Sequence, residues 1–153
     1  MPSSSLGRLT TFFDPMKPYE LIDHTADIGI KVYGKDLAEL FKNAAFAMFD
    51  IIADLSSLKN SVTVDIKKDA PNSEELLVAW LDELLYNFYT KGLIFSQFEI
   101  VDLNDSHITA KAFGRHIGEN RSRLKTEIKA VTYHELKIEN KNNIWQTQLI
   151  FDV

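Results

Sequence analysis

The sequence predicts a single-domain α+β fold with a two-layer architecture, in which two amphipathic helices cover a mixed β-sheet. Two apolar stripes at helical spacing predict the helices, and about seven short segments of alternating or β-branched residues predict the strands. The helices do not alternate strictly with the strands, which favours α+β over α/β. A chain of 153 residues, 45% hydrophobic and 25% charged, suits one globular domain.

The two helices are predicted from their apolar stripes and from the residues at their ends. Asp36 is placed to cap the first helix, with Glu39 as its reciprocal capping partner. Asn72 and Ser73 open the second helix, and Gly92 follows it as a C-cap. The stripes are Leu37, Leu40, Phe41, Ala44, Ala45, Met48, Phe49 and Ile52, then Leu76, Leu77, Trp80, Leu81, Leu84, Leu85 and Phe88.

Strands are predicted where apolar residues alternate with polar ones, or where turn residues bound a short apolar run. Asn104-Asp105-Ser106 supplies a turn between two of these runs, which predicts a β-hairpin. The predicted strands are 19–22, 28–33, 62–66, 98–103, 108–113, 126–132, 136–139 and a last one from 145 to the C-terminus.

Residues 1–16 are predicted to be a flexible N-terminal extension, and 17–153 the folded domain. The extension is rich in Ser and Thr and lacks the apolar run and cleavage site of a signal peptide. No stretch reaches the roughly 20 apolar residues that a membrane span needs. The absence of cysteine excludes thiolate chemistry and Cys-based metal sites. We therefore expect a cytoplasmic protein without membrane association.

The motifs of common enzyme classes are absent from the sequence. It contains no Walker A loop, no GxSxG elbow, no GxGxxG and no HExxH. The net charge of −5 argues against a broad nucleic-acid-binding surface, because such surfaces cluster Lys and Arg. If RNA is involved, we expect a partner protein to hold most of it.

A candidate cation site comes from the segment 23–27, Asp-His-Thr-Ala-Asp, between the first two strands. Its carboxylates and imidazole could serve a hard cation, or its Asp and Thr side chains could bond backbone amides in an ordinary turn. The chain ends in Asp152 and the free carboxylate of Val153. If this end lies beside Asp27, three carboxylates converge and their repulsion demands a cation or raised pKa values; otherwise the terminus is frayed.

Positive charge is concentrated in the segment 114–125, which is predicted to be a flexible loop. The basic side chains either contact phosphates or an acidic partner surface, for which Arg provides bidentate contacts, or they are simply solvated. They are Arg115, Arg121, Arg123 and Lys125.

Lys129 lies in the strand predicted over 126–132, where alternation places it on the face opposite Ile128. Two interpretations are open at this point. Lys129 and His134 flank a polar pocket, or Lys129 is solvated on the open face of the sheet.

Together these segments resemble the archease family over residues 17–153, in order and with compatible spacing. The specific signature pairs the block 23–27 with the block 129–134, Lys-Ala-Val-Thr-Tyr-His. The other resembling stretches are 19–30, 47–50, 76–86, 125–134 and the terminal Phe-Asp-Val at 151–153.

The resemblance implies an archease-like fold and a non-catalytic accessory protein. Such proteins assist the ligase that joins RNA ends bearing a cyclic phosphate and a 5′-hydroxyl, in tRNA splicing and RNA repair. They promote guanylylation of the ligase and its multiple turnover. The implied partner is therefore an RNA-splicing ligase, and RNA is contacted only through it.

The resemblance also implies a metal site, typically occupied by Ca²⁺, with another divalent cation as the alternative. Its ligands map onto Asp27, Asp152 and Val153, and Asp23 and His24 lie behind them as supporting residues.

Lys129 and His134 map onto the residues that serve ligase interaction or activation. One departure is visible, because this chain has Arg-Ser-Arg-Leu at 121–124, where the family usually carries a histidine before a Lys-Thr-Glu run. No role of that histidine is carried over.

Two other classes of function are open alternatives. One is a general chaperone or scaffold that acts through the acidic surface. The other is a stand-alone metal-dependent phosphohydrolase that uses the carboxylates to activate water through a bound cation.

Overall fold

The computed structural model describes residues 18–22, 26–133 and 135–153, so the predicted extension 1–16 lies outside the described residues. Within these ranges the chain forms helices α1 (Leu37–Ile52) and α2 (Ser73–Lys91). The strands are β1 (Tyr19–Ile22), β2 (Ile28–Gly34), β3 (Val62–Asp69), β4 (Leu93–Leu103), β5 (His107–His116), β6 (Ala130–Val131), β7 (Glu139–Lys141) and β8 (Ile144–Asp152). The α+β class and both helices are confirmed.

Both helices begin after their predicted N-cap residues, and α2 ends at its predicted C-cap. Asp36 accepts the backbone N–H of Glu39 at 2.8 Å, and Asn72 caps α2 in the same way. Gly92 ends α2 with a φ of 64°, a left-handed conformation that favours glycine. The predicted reciprocal cap would have the Glu39 carboxylate accept the backbone N–H of Asp36. In the structure it accepts the N–H of the preceding residue, Lys35, at 2.9 Å. None of the described helices is both long and apolar enough to cross a membrane.

The strands divide between two sheets, where the sequence predicted one mixed sheet. The larger sheet has the order β1-β2-β8-β6, with β7 also paired to β8, and the smaller has the order β3-β5-β4. All described ladders are antiparallel. The division arises because the last strand, β8, returns to pair with β2, while the β4–β5 hairpin pairs with β3. The alternation of residues within one strand shows which face is buried, but it does not specify which other strand pairs with it.

A shared core holds the helices against both sheets. The Phe49 ring on α1 makes edge-to-face contacts with Phe95 of β4, at 5.4 Å between centroids, and with Phe88 of α2, at 6.3 Å. The indole N–H of buried Trp80 donates to the carbonyl oxygen of Phe41 at 3.0 Å, so this large side chain is buried without an unpaired donor. The same bond ties α2 to α1.

The strand predicted over 126–132 is wrong in extent, because only Ala130–Val131 pairs as a strand. Ile128 and Val131 are both buried, although regular alternation would place them on opposite faces. The Tyr89 hydroxyl donates to the carbonyl oxygen of Ile128 at 2.6 Å, which engages that carbonyl with α2 instead of a neighbouring strand. Contacts with α2, and not strand pairing, therefore determine the conformation of residues 126–129.

The strand predicted over 136–139 is shifted towards the C-terminus, because β7 comprises Glu139–Lys141. A hairpin turn connects β7 to β8, with positive φ at Asn142 (53°) and Asn143 (65°). Asparagine tolerates this conformation, and it suits a two-residue hairpin loop. The turn sets the register of β7, which local hydrophobicity did not reveal.

A tight backbone approach at Gly114 provides a test of the smaller sheet. Gly114 of β5 lies opposite Phe95, and an added Cβ would collide with the carbonyl oxygen of Ile94 and lie 3.0 Å from the Phe95 Cα. We expect Gly114→Ala to lower the free energy of unfolding by about 3 kcal/mol, measured by urea denaturation. Gly92→Ala meets nothing within 4 Å and should cost only about 1 kcal/mol, from its backbone conformation. Equal losses would contradict the steric explanation.

The hydrogen bond of the Tyr19 phenol provides a test of how β1 is held against α1. Its O–H donates to the Asp50 carboxylate, and burial, this hydrogen bond and the carboxylate charge raise the pKa of Tyr19. A raised pKa means that the contribution to stability is present below about pH 10 and is lost as pH rises through the folded-state value. We expect Tyr19→Phe to cost about 1 kcal/mol at pH 7 and to flatten the alkaline loss of stability in urea denaturation.

Tyr33 is the matched control for this bond. Its hydroxyl donates to the exposed Glu20 carboxylate at 3.1 Å, and burial, this bond and the carboxylate charge raise its pKa to about 12. Tyr33→Phe should cost less than about 0.5 kcal/mol, because exposed pairs contribute little. A larger cost for Tyr33→Phe than for Tyr19→Phe would refute the assigned role of the Tyr19 bond.

Candidate functional site

The larger sheet brings the start of β2 beside the end of the chain. The β2–β8 ladder ends with Ile28 paired to Phe151, so Asp27 and Asp152 adjoin this last pair, and continuing the same register would set them opposite each other. Residues directly opposite in an antiparallel pair have Cβ atoms about 4.5–5.5 Å apart and point to the same face. The two aspartates predicted as cation ligands are therefore neighbours across this pair.

Strand alternation determines the face on which these aspartates lie. Ile30 and Leu149 are opposite each other in the ladder and fully buried, so they mark the core side. Asp27 and Asp152 are each three residues away from them, which places both on the outer face. Asp152 is exposed, as this placement predicts, and Asp27 is half-buried.

The segment around β6 reaches the same edge from the other side of β8. Ala130 pairs with Asp152, and the backbone N–H of Lys129 donates to the Asp152 carbonyl oxygen at 2.7 Å. Backbone pairing thus holds the chain as far as Asp152, which argues against a frayed end. The Lys129 side chain is exposed, and Val153 follows at the end of the strand. We call Asp27, Lys129, Asp152 and Val153 the terminal edge.

The oxygen donors of the terminal edge suit a hard divalent cation. Ca²⁺ takes six to eight oxygen ligands, and two aspartates plus a main-chain carboxylate supply part of that set. Among the described residues, no group of three or more His, Asp or Glu side chains gathers into a metal-binding cluster. A site here therefore needs the Val153 carboxylate, water or ligands from 23–25. Asp23 and His24 lie outside the described residues, so their predicted supporting role stays a prediction, as does the cation.

The basic segment 114–125 is more regular than the predicted flexible loop, because Gly118–Arg123 forms a 3₁₀ helix. Arg123 donates to the carbonyl oxygens of Asp54 at 3.0 Å and Ser56 at 2.6 Å, which ties this helix to the turn after α1. Arg115 donates to the carbonyl oxygen of Lys59 at 3.1 Å. The guanidinium groups of these two arginines therefore donate to backbone carbonyls of this chain. Their predicted contact with a partner or phosphate stays a prediction.

Arg121 and Lys125 lie at a cleft of about 470 Å³ between the C-terminal end of α2 and the 3₁₀ helix. Its apolar lining includes Ile52, Phe88 and Leu124. Within the described residues, neither basic side chain makes a hydrogen bond, so both are available to an anion. Tyr89 and Glu127 also line the cleft, whereas Asp27, Lys129, Asp152 and Val153 do not. His134, predicted to act with Lys129, lies outside the described residues.

Sequence reasoning assigned no role to three exposed tyrosines near the terminal edge. Tyr86 and Tyr89 lie on α2, and Tyr133 follows β6. The available signal was the position of Tyr86 and Tyr89 outside the apolar stripe of α2, where helical periodicity predicts solvent exposure. The position of Tyr133 depends on the irregular segment beside α2, which no local pattern predicts.

Comparison with known proteins agrees with the resemblance. The chain matches the model of the Archease protein family over residues 19–153. It is 37% identical over 139 residues to Protein archease of Sulfurisphaera tokodaii, which covers 90% of this chain and 100% of that relative. It is 39% identical over 141 residues to Protein archease of Methanosarcina barkeri, which covers 90% of this chain and 97% of the relative.

Solved structures share the architecture. The solution structure of Methanobacterium thermoautotrophicum protein 1598 has a TM-score of 0.70 at 35% identity, covering 90% of this chain and 100% of that one. The crystal structure of an archease from Thermotoga maritima, described as a possible chaperone, has a TM-score of 0.62 at 20% identity, covering 95% and 100%. At that identity the second likeness shows the fold alone. With the family model and the relatives in agreement, the chain belongs to the archease family.

Proposed function

We propose that this protein is a metal-binding accessory factor that activates an RNA-splicing ligase in tRNA splicing and RNA repair. It promotes guanylylation of the ligase and its multiple turnover, and it is not itself the catalyst. The observation that carries the proposal is the terminal edge, where Asp27 and Asp152 adjoin the last pair of the β2–β8 ladder and the β6–β8 pairing adds Lys129. The ligase enters the proposal through the resemblance to archeases, and the family match over residues 19–153 supports that resemblance.

The proposed cation is Ca²⁺, or another divalent ion, held by Asp27, Asp152 and the Val153 carboxylate. Two carboxylates about 5 Å apart repel each other by roughly 1 kcal/mol in water and about 3 kcal/mol at the effective dielectric constant of a protein surface. A divalent cation between them replaces this repulsion with attraction. Binding would therefore join the start of β2 to the chain terminus and order the surface offered to the ligase.

Lys129 supplies the activating side chain in this proposal, together with His134, which follows it in the same sequence block 129–134. The backbone of Lys129 is already used to hold Asp152, while its ammonium group is exposed and can meet an anionic group on the ligase. RNA is contacted through the ligase, because a chain with a net charge of −5 is poorly suited to bind phosphates over a broad surface.

General chaperone activity is the alternative, motivated by the description of the Thermotoga maritima archease as a possible chaperone. A chaperone of this kind would suppress aggregation of unrelated clients and would be indifferent to Asp27→Ala. The two functions are therefore separated by variants of the terminal edge.

Ligase activation tests the proposal directly. The chain, its cognate RNA ligase, GTP and an RNA with cyclic-phosphate and 5′-hydroxyl ends are combined, and ligase guanylylation and turnover are measured. We expect Asp27→Ala and Lys129→Ala each to reduce stimulation at least about tenfold, with only Asp27→Ala also weakening Ca²⁺ binding. Asp105→Ala and Lys67→Ala, exposed residues of the smaller sheet and its hairpin, should stimulate normally. Unchanged ligase turnover with the unmodified chain would reject the proposal.

The C-terminal carboxylate has its own test. Deleting Val153 moves the main-chain carboxylate back to Asp152, within the β6–β8 ladder, and should weaken Ca²⁺ binding about tenfold in titration calorimetry. Val153→Ala leaves the carboxylate in place and should bind normally. Equal affinity of the deletion variant and the full chain would remove Val153 from the ligand set.

A further inference from the structure

Three tyrosines are exposed along one side of the molecule beside the terminal edge. Tyr86 is 59%, Tyr89 48% and Tyr133 55% exposed. Together with the carboxylates of Asp82 and Glu127, we call these side chains the tyrosine face. Single exposed aromatic residues are ordinary on a protein surface, but three exposed tyrosines on α2 and on the neighbouring segment that contains β6 require an explanation.

Helical geometry aligns the part of the face that α2 contributes. Asp82, Tyr86 and Tyr89 are spaced i, i+4 and i+7, so they lie on one side of α2. The buried residues Leu84 and Phe88 belong to the stripe on the opposite side. The tyrosines therefore contribute little to the core, and the helix presents them to solvent.

The segment before β6 supplies the second border of the face. The Tyr89 hydroxyl donates to the Ile128 carbonyl oxygen at 2.6 Å and lies 3.5 Å from the Glu127 carboxylate. This contact joins the last turns of α2 to the residue that precedes Lys129. The face is thus continuous with the terminal edge through the backbone of 127–133.

Tyr133 and Asp82 form the other end of the face. Burial raises the pKa of Tyr133, and the carboxylates of Asp82 and Glu75 raise it further, because a phenolate would be repelled by them. Burial also raises the pKa of Asp82, while Lys68 acts in the opposite direction. The phenol and the carboxyl group are therefore close enough for the Asp82 charge to act on Tyr133, so a cationic side chain at this position could meet both the ring and the carboxylate.

The tyrosine rings and carboxylates of the tyrosine face favour a partner surface that carries cationic side chains. The face of a tyrosine ring attracts an ammonium or guanidinium group within about 6 Å, and carboxylates accept bidentate hydrogen bonds from arginine. Tyrosine is also enriched at the centres of protein–protein interfaces. An RNA strand would instead be repelled by Asp82 and Glu127.

We propose that the tyrosine face docks an arginine- and lysine-bearing surface of the ligase, an inference that rests on the proposed function. A protein that holds RNA needs a positively charged surface to neutralise phosphates, and this chain, with a net charge of −5, complements it. Docking at Tyr86 and Tyr133 brings the partner alongside 127–133. Lys129 and the terminal edge then lie at the border of the contact.

Binding of the full chain to the ligase, measured by biolayer interferometry in the presence of Ca²⁺, tests the docking surface. We expect Tyr86→Ser combined with Tyr133→Ser to raise the Kd at least about tenfold, with Ca²⁺ affinity and thermal unfolding unchanged. Tyr89 is kept, because its hydroxyl holds Ile128. Asp82→Asn should weaken binding and reduce its salt dependence. Val101→Ser, which removes a 56% exposed side chain from β4, is the matched control and should bind normally.

Each outcome decides a separate claim. An unchanged Kd in the double tyrosine variant overturns the docking surface, even if the chain stimulates the ligase. Loss of binding in that variant, with no stimulation by the unmodified chain, supports the surface and overturns activation. No affinity of the unmodified chain for the ligase overturns both. Binding to the RNA alone that depends on Tyr86 and Tyr133 would assign the face to nucleic acid and overturn the protein docking site.

Discussion

The antiparallel pairing of β2 with β8 is the constraint on which both the fold and the terminal edge depend. Its register runs from Ile28 opposite Phe151 to Gly34 opposite Trp145 and joins the two ends of the domain. A slip of one residue would turn the inward side chains of β8 to solvent, so burial of the core face specifies the register. The same register determines which polar residues meet on the outer face. Hydrophobic packing on one side of the sheet thereby positions the carboxylates on the other.

Lys129 shows how one residue connects two parts of the proposed function. Its backbone N–H holds the Asp152 carbonyl oxygen, and its side chain remains exposed for a partner. A change of the side chain therefore leaves the backbone bond intact, so partner contact and terminal-edge geometry are separable. The helix α2 has a comparable division, because one side fills the core and the other carries Tyr86 and Tyr89. The proposed metal site and the proposed docking surface meet at the segment between them.

The helices were predictable because the information that specifies them is local. Asp36 and Asn72 lie next to the apolar stripes that they cap, and Gly92 lies directly after the second stripe. The sheets were less predictable, because strand pairing depends on residues far apart in the chain. The short strand β6 illustrates this limit, since α2 engages the Ile128 carbonyl and regular alternation is lost.

The sequence by itself determined the α+β class, both helices with their N-caps and the C-cap of α2, the β4–β5 hairpin and, through motif resemblance, the archease family. It also identified Asp27 and Asp152 as candidate ligands, while leaving open whether they meet. Only the tertiary structure decided that these two flank the same end of the β2–β8 ladder, that Arg123 donates to backbone carbonyls, and that Tyr133 lies within reach of the Asp82 charge. The physical reason is that each of these contacts joins distant segments. Their proximity is decided by strand register and core burial, which no local periodicity encodes.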